Sequence, residues 1–419
     1  MREAAMGKTV LVIANLDTRG AEFLTYLEQI REAGLEAVLM DVSMEQPPPV
    51  SGDIPCEQVA RAGGAEIEQV RSWYRAAERD KATEVMIRGG RKLALEMFEA
   101  GRLHGAFGAG GATATLITTS IMRALPFGVP KVVASSVAGH PRYVGAYVGT
   151  RDITLLNTVV DVMGTNPLLH AQLRNAVGAI CGMVLAHQGI EQPDRPVVGI
   201  TSFGFAERCV EAVIEALRGE GFDPVPFHAQ GRGDRAMDEV IRDGMLAGVV
   251  DVVTRGIVEE MLGGNCAAGP DRVAAAAECG VPMVLAPSGL DMLSVGGQAD
   301  WKERFAGRAH AVIDRLRVEV RTSPDECREA ARVLADRLNR ARAPFRVVIP
   351  TEGWSSLDAP GRPLWDPVAD QAFTEELTRR LSRPERVVTV GGNLYTPEFG
   401  ARLAAEFLAV WREAGGGKR

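Results

Sequence analysis

The chain has 419 residues, 46% hydrophobic and 24% charged, a globular composition that excludes wholesale disorder. Its 47 basic and 54 acidic residues leave a formal charge of -7, without the basic surplus of a nucleic-acid or membrane-surface protein. No uninterrupted apolar run approaches the roughly 20 residues of a spanning helix, and the start has no secretory h-region, so a cytoplasmic protein is expected.

The first stretch, TVLVIANLDTRGAEFLTYLEQIREAGLEAVLMDV, reads as a βαβ unit. An apolar strand spans 10–14. A helix carries Phe23, Leu24, Leu27 and Ile30 on one face, Gly34 stops it, and a second strand spans 37–42. GRLHGAFGAGGATATLITTS follows as strand, glycine turn and helix, and then GVPKVVASSVAGH as a strand and its loop. A helical stretch over 168–187 closes the first half. The polar segment HQGIEQPDRPVV, with Pro193 and Pro196, marks a boundary. Beyond it PVVGITSFGFAERCVEAVIEALRGEGFDPVPFHA repeats the opening pattern, and GVPMVLAPSGLDM answers GVPKVVASSVAGH. RVVIP and RVVTV read as two further strands, and Asp366 before Pro367 as a helix cap. The expectation is an α/β protein of two Rossmann-like domains, 1–190 and 191–419, with mostly parallel sheets related by an internal repeat.

The six cysteines are scattered, with no C-x-x-C pair. The spacing argues against a disulfide framework and a structural zinc, and small buried thiols are expected. The six histidines show no ligand spacing.

Ligands of open parallel sheets bind beyond the carboxyl ends of strands, so residues just past each strand are the candidates. In the first half these are Asn15, Asp17, Thr18 and Arg19 before the first helix, where an anion is favoured. The plainer account is an N-cap from Asp17 or Thr18. Next come Gly108, Gly110, Gly111 and Thr113, where glycines let the backbone approach a phosphate. The loop matches neither the Walker pattern nor the full dinucleotide fingerprint. Ser135, Ser136, Gly139, His140, Thr150 and Asp152 follow, suited to a ribose or a nucleobase, with His140 before Pro141 read rather as a plain loop residue. In the second half His228 is a candidate general base. Arg232 or Arg255 suits a carboxylate or phosphate, bound in bidentate fashion, and Asp291 or Glu352 would orient His228 or take a metal.

The ordered set NLDTRGAEF, GAGGATATL, GVPKVVASSVAGH, YVGTRDI and VVDVMGTN resembles the Tm-1-like ATP-binding family. FHAQGRGDRAM, GVPMVLAPSGLDM and SLDAPGRPLWDP extend the resemblance over nearly the whole chain. It implies a first domain that binds ATP with Mg²⁺, a two-domain Rossmann-like fold and a homodimer or higher homo-oligomer. It places the nucleotide loop at Gly108, Gly110, Gly111 and Thr113, with Asp17, Thr18 and Arg19 as the N-terminal motif and Ser135 and Ser136 as a serine loop. The family loop typically reads like GGSGGT; here it is GGATAT. Non-glycine residues disfavour positive φ, which implies a differently shaped cradle. The expected function is binding of a nucleotide, with a small anionic metabolite at the second-half strand ends if the protein is an enzyme. The alternative is a non-catalytic ligand-binding or regulatory protein that presents a surface to a partner.

Overall fold

The computed structural model describes residues 7–164, 166–189 and 194–416, and of 19–22 the backbone only. Two compact units, Met1–Glu191 and Gln192–Arg419, divide the chain. The expected boundary at 190/191 lies outside the described residues, as does Pro193.

The first unit runs β1 (Thr9–Ala14), α1 (Leu16–Glu32), β2 (Glu36–Asp41), α2 (Cys56–Ala62), α3 (Ile67–Arg75), α4 (Arg79–Glu99), β3 (Gly105–Gly110), α5 (Ala112–Met122), β4 (Lys131–Ser135), α6 (Val144–Val148), β5 (Thr154–Asn157) and α7 (Pro167–Ala186). Its five strands are all parallel, in the order β2-β1-β3-β4-β5. A parallel sheet covered on both faces needs continuous apolar strands, and all six residues of β1 are buried. The pleat sends Leu11 and Ile13 to one core with Met40, Ile117 and Ile121. Val10 and Val12 go to the other with Phe23, Leu27, Phe107 and Ile180.

Two helices show how these layers close. A Cβ on Gly89 would lie 1.9 Å from the Val59 carbonyl oxygen. Glycine there lets α4 lie directly on α2. By length and composition α7 could cross a membrane. However, Leu169, Leu173, Val177, Ile180 and Val184 form a buried stripe in the first unit's core.

The second unit runs β6 (Val197–Ser202), α8 (Glu207–Gly219), β7 (Asp223–His228), α9 (Arg232–Arg242), β8 (Gly248–Val253), α10 (Gly256–Leu262), α11 (Ala274–Cys279), β9 (Met283–Ser288), β10 (Met292–Ser294), α12 (Trp301–Arg304), β11 (His310–Val312), β12 (Val318–Arg321), α13 (Pro324–Leu338), β13 (Phe345–Pro350), α14 (Pro367–Arg380), β14 (Val387–Val390) and α15 (Pro397–Glu413). Six parallel strands lie in the order β7-β6-β8-β9-β13-β14. The first four strands of each unit thus share one topology, as the repeated sequence implies. Between β9 and α13 the chain adds a small antiparallel sheet, β10-β12-β11.

Candidate functional site

In the first sheet the strand order reverses at β1. The crevice beyond the carboxyl ends of β1 and β3 is therefore the default ligand position. A cavity of about 230 Å³ opens there, lined among others by Asn15, Asp17, Met44, Glu45, Tyr74, Gly111 and Thr113.

The α5 side of the cavity is a bare helix start. Gly111 occupies the N-cap position and no side chain caps the helix. The N–H groups of Ala112, Thr113 and Ala114 precede the first intrahelical bond, which Thr115 N–H donates to Gly111 O. Gly111 has ordinary extended backbone, φ -82°. A Cβ there would meet nothing closer than Ser136 Oγ at 3.9 Å. Neither conformation nor protein packing requires glycine at this position, and the space it leaves belongs to the cavity.

The opposite wall is built from acceptors. Asp17 is only 8% exposed. Its Oδ2 accepts from the N–H groups of Met44 (3.2 Å) and Glu45 (2.9 Å). Its Oδ1 is buried without a hydrogen-bond partner, and so is Oδ1 of Asn15. A buried acceptor with no donor carries a desolvation cost, which a ligand hydroxyl or amine would offset. Burial, followed by the Glu45 carboxylate, raises the Tyr74 phenol above its ordinary value.

Several expected ligands have other work. The start of α1 is closed to anions, because Leu16 N–H donates to Asp41 Oδ1 (3.3 Å) and Asp17 N–H to Ser43 Oγ (2.9 Å). Asn15, and neither Asp17 nor Thr18, holds its N-cap position. Thr18 is exposed and donates to Asn15 O. The Arg19 side chain lies outside the described residues. Gly108 and Gly110 are packing glycines: a Cβ at either would fall 2.5 Å from Thr118 or Ala114. Ser135 is spent on Thr115, Oγ to Oγ 2.7 Å, and on Val137 N–H. Ser136 reaches Asp161 at 3.4 Å, and Gly139 is exposed beside Asn157. Asp152 precedes β5 and so stands at the amino edge of the sheet, opposite the cavity. There it accepts from Lys131 Nζ and Gly128 N–H, each at 2.8 Å. Gly111 and Thr113 remain at the cavity with Asp17.

In the second unit the four expected residues do not form one group. His228 is exposed at the end of the edge strand β7. Its ring packs on Phe203, 5.0 Å between centroids, and its side chain makes no hydrogen bond among the described residues. Arg232 begins α9 and is exposed, as is Glu352. Asp291 is fully buried. It accepts from Ser355 Oγ (2.7 Å) and Gly289 N–H (2.9 Å), and so orients no imidazole. Complete burial, reinforced by Asp358, pushes its carboxyl up to about 7. The crevice between β6 and β8 holds protein. The Arg255 guanidinium lies 4.7 Å over Phe203 and 5.2 Å over Phe205. It is fully buried and paired with Glu259 and Glu319.

Sequence reasoning passes over Tyr74, Glu45 and the amides of Ala112 and Ala114. Tyr74 reaches the cavity from α3, in the crossover between β2 and β3, and no local motif marks it. The amides were legible, since GGATAT ends a strand and opens a helix.

The residues 8–189 match the model of the uncharacterised protein family UPF0261 N-terminal domain, and 195–411 that of its C-terminal domain. A UPF0261 protein of Clostridium tetani is 33% identical over 96% of this chain and 99% of its own. One of Rhizobium meliloti is 34% identical over the same shares. The ToMV resistance protein Tm-1 of Solanum lycopersicum is 34% identical over 74% of this chain, which is 42% of the tomato protein. With both domain models matched and full-length relatives aligned, the chain belongs to the UPF0261 family, which includes the Tm-1 proteins.

Proposed function

We propose that the first unit binds a nucleotide, ATP with Mg²⁺, in the cavity between β1 and β3. The observation that carries this reading is the uncapped start of α5 behind Gly111. Three backbone donors and the positive end of a helix stand at the cavity, where a Cβ on Gly111 would meet nothing closer than 3.9 Å. Phosphate oxygens suit that wall. The free acceptors of Asn15 and Asp17 suit ribose hydroxyls or an amino group. Mg²⁺ travels with ATP and needs only one or two protein oxygens beside phosphates and water. Asp17 Oδ1 and Thr113 Oγ1 are the oxygens available for it.

The test is calorimetry of the full chain with ATP and Mg²⁺, beside Gly111→Leu. A Cβ has room at this position, and the rest of a leucine side chain would extend into the cavity. The variant should fold and lose at least about tenfold in affinity, roughly 1.4 kcal/mol. Equal affinity in a folded variant would refute this site.

A further inference from the structure

A second cavity, about 490 Å³, lies along α4 and α5 and shares Tyr74 and Thr113 with the first. Three guanidiniums line it: Arg79, Arg91 and Arg123. One of them, Arg79, is held in place by a neutral ring. Arg79 lies 4.5 Å over the Tyr74 ring. Arg123 donates to Ala146 O and Ser120 Oγ. Arg79 and Arg91 form no ion pair among the described residues, although ion pairs are frequent elsewhere in the chain.

Local structure argues against a purely structural role. Arg79 is the first residue of α4, where the helix dipole disfavours a cation. The turn that brings Tyr74 and Arg79 to the cavity holds Ala77 at φ +61°, a left-handed conformation costly for any residue with a Cβ. Two unfavourable features thus place one cation at the mouth of the shared wall. Asp80 and Glu84 line the same cavity and supply acceptors.

We propose that this groove binds a second ligand, a small carboxylic acid bearing hydroxyl or amino groups, beside the first cavity. Its carboxylates would meet the guanidiniums in bidentate fashion. Its hydroxyl or ammonium would donate to Asp80 or Glu84. The proposal rests on the nucleotide reading only for the statement that two ligands lie side by side.

The probes are L-malate, L-aspartate and succinate, titrated by calorimetry into the full chain with and without saturating ATP and Mg²⁺. Malate and aspartate should bind, and more tightly than succinate, which lacks the extra donor. They should bind whether or not ATP is present. Arg79→Glu with Arg91→Glu should weaken them at least tenfold, with ATP affinity and the melting transition retained. Arg79→Glu alone provides a second, milder variant, since an acid suits the first turn of α4. No binding of any of the three acids overturns the proposal, as does binding unchanged in the folded double variant. Mutual exclusion of malate and ATP overturns it too, because the groove would then hold the nucleotide's own phosphates. A protein that ignores ATP but binds malate through these arginines overturns the nucleotide reading alone.

Discussion

Asp17 and Asp291 both stand just past strands in the sequence, and both turn inward in the structure. Asp17 latches the turn after β2 through Met44 and Glu45 and leaves its other oxygen buried without a hydrogen-bond partner. Asp291 faces Asp358, Asp370 and the single guanidinium of Arg321, with Ser355 donating to it. Three carboxyls around one cation retain a proton that the unfolded chain would release. Burial raises Asp291 from 3.8 to about 7, and burial likewise raises Asp238 to about 7. A folded state that binds the extra protons loses stability as pH rises, so the contribution is complete below the unfolded value and lost toward the folded one. Unfolding free energy should therefore fall from about pH 4 to about pH 7, and on toward about pH 9 through Asp370, which burial raises to about 9, by up to about 1.4 kcal/mol per unit for each retained proton. Asp291→Asn should remove one proton's share of that slope in denaturant titrations at several pH values. An unchanged slope would show that Asp291 is ionised in the fold.

At the scale of the element, much was legible. The run at β1 is buried throughout and those at β2, β6 and β13 at most positions, and Asp366 does cap α14, accepting from Val368 and Ala369 N–H. Five of the six cysteines are buried, and Cys279 alone is exposed. The small sheet β10-β12-β11 was not legible, because strands of three or four residues carry no period. The edge position of His228 has a signal in the sequence. Pro224 and Pro226 alternate along DPVPFH, and prolines of that kind belong to an edge strand. Tyr74 had none, since only tertiary packing brings the end of α3 to β1. Helix α7 offers a clean stability test. Gly178 and Gly182 lie on its exposed side, and a Cβ at either would meet nothing within 4 Å. Alanine at each should stabilise by roughly 0.5–1 kcal/mol, the cost of glycine inside a helix. Guanidinium unfolding measures this, and a loss of stability would reveal something packed on that face.

At the scale of the whole molecule, one topology occurs twice with different contents. The first sheet leaves its reversal point open between α5 and Asp17. The second fills the corresponding crevice with Arg255 stacked on Phe203 and Phe205. The repeat in the sequence predicts like folds and cannot tell which copy is vacant. Gly111 stands at the open place in one half, and Arg255 with Phe203 and Phe205 fills its counterpart in the other.

The filled crevice gives the chain a built-in reference for measuring its own ligand. In hydrogen–deuterium exchange, ATP with Mg²⁺ should slow the amides of 111–115. The amides of 203–206 and 255–259, at the matching place in the second sheet, should keep their rates. Solvent, temperature and back-exchange act on both halves of every molecule alike, so the ratio of the two cancels them. Equal slowing in both would mean that the effect is global and that no ligand sits behind Gly111.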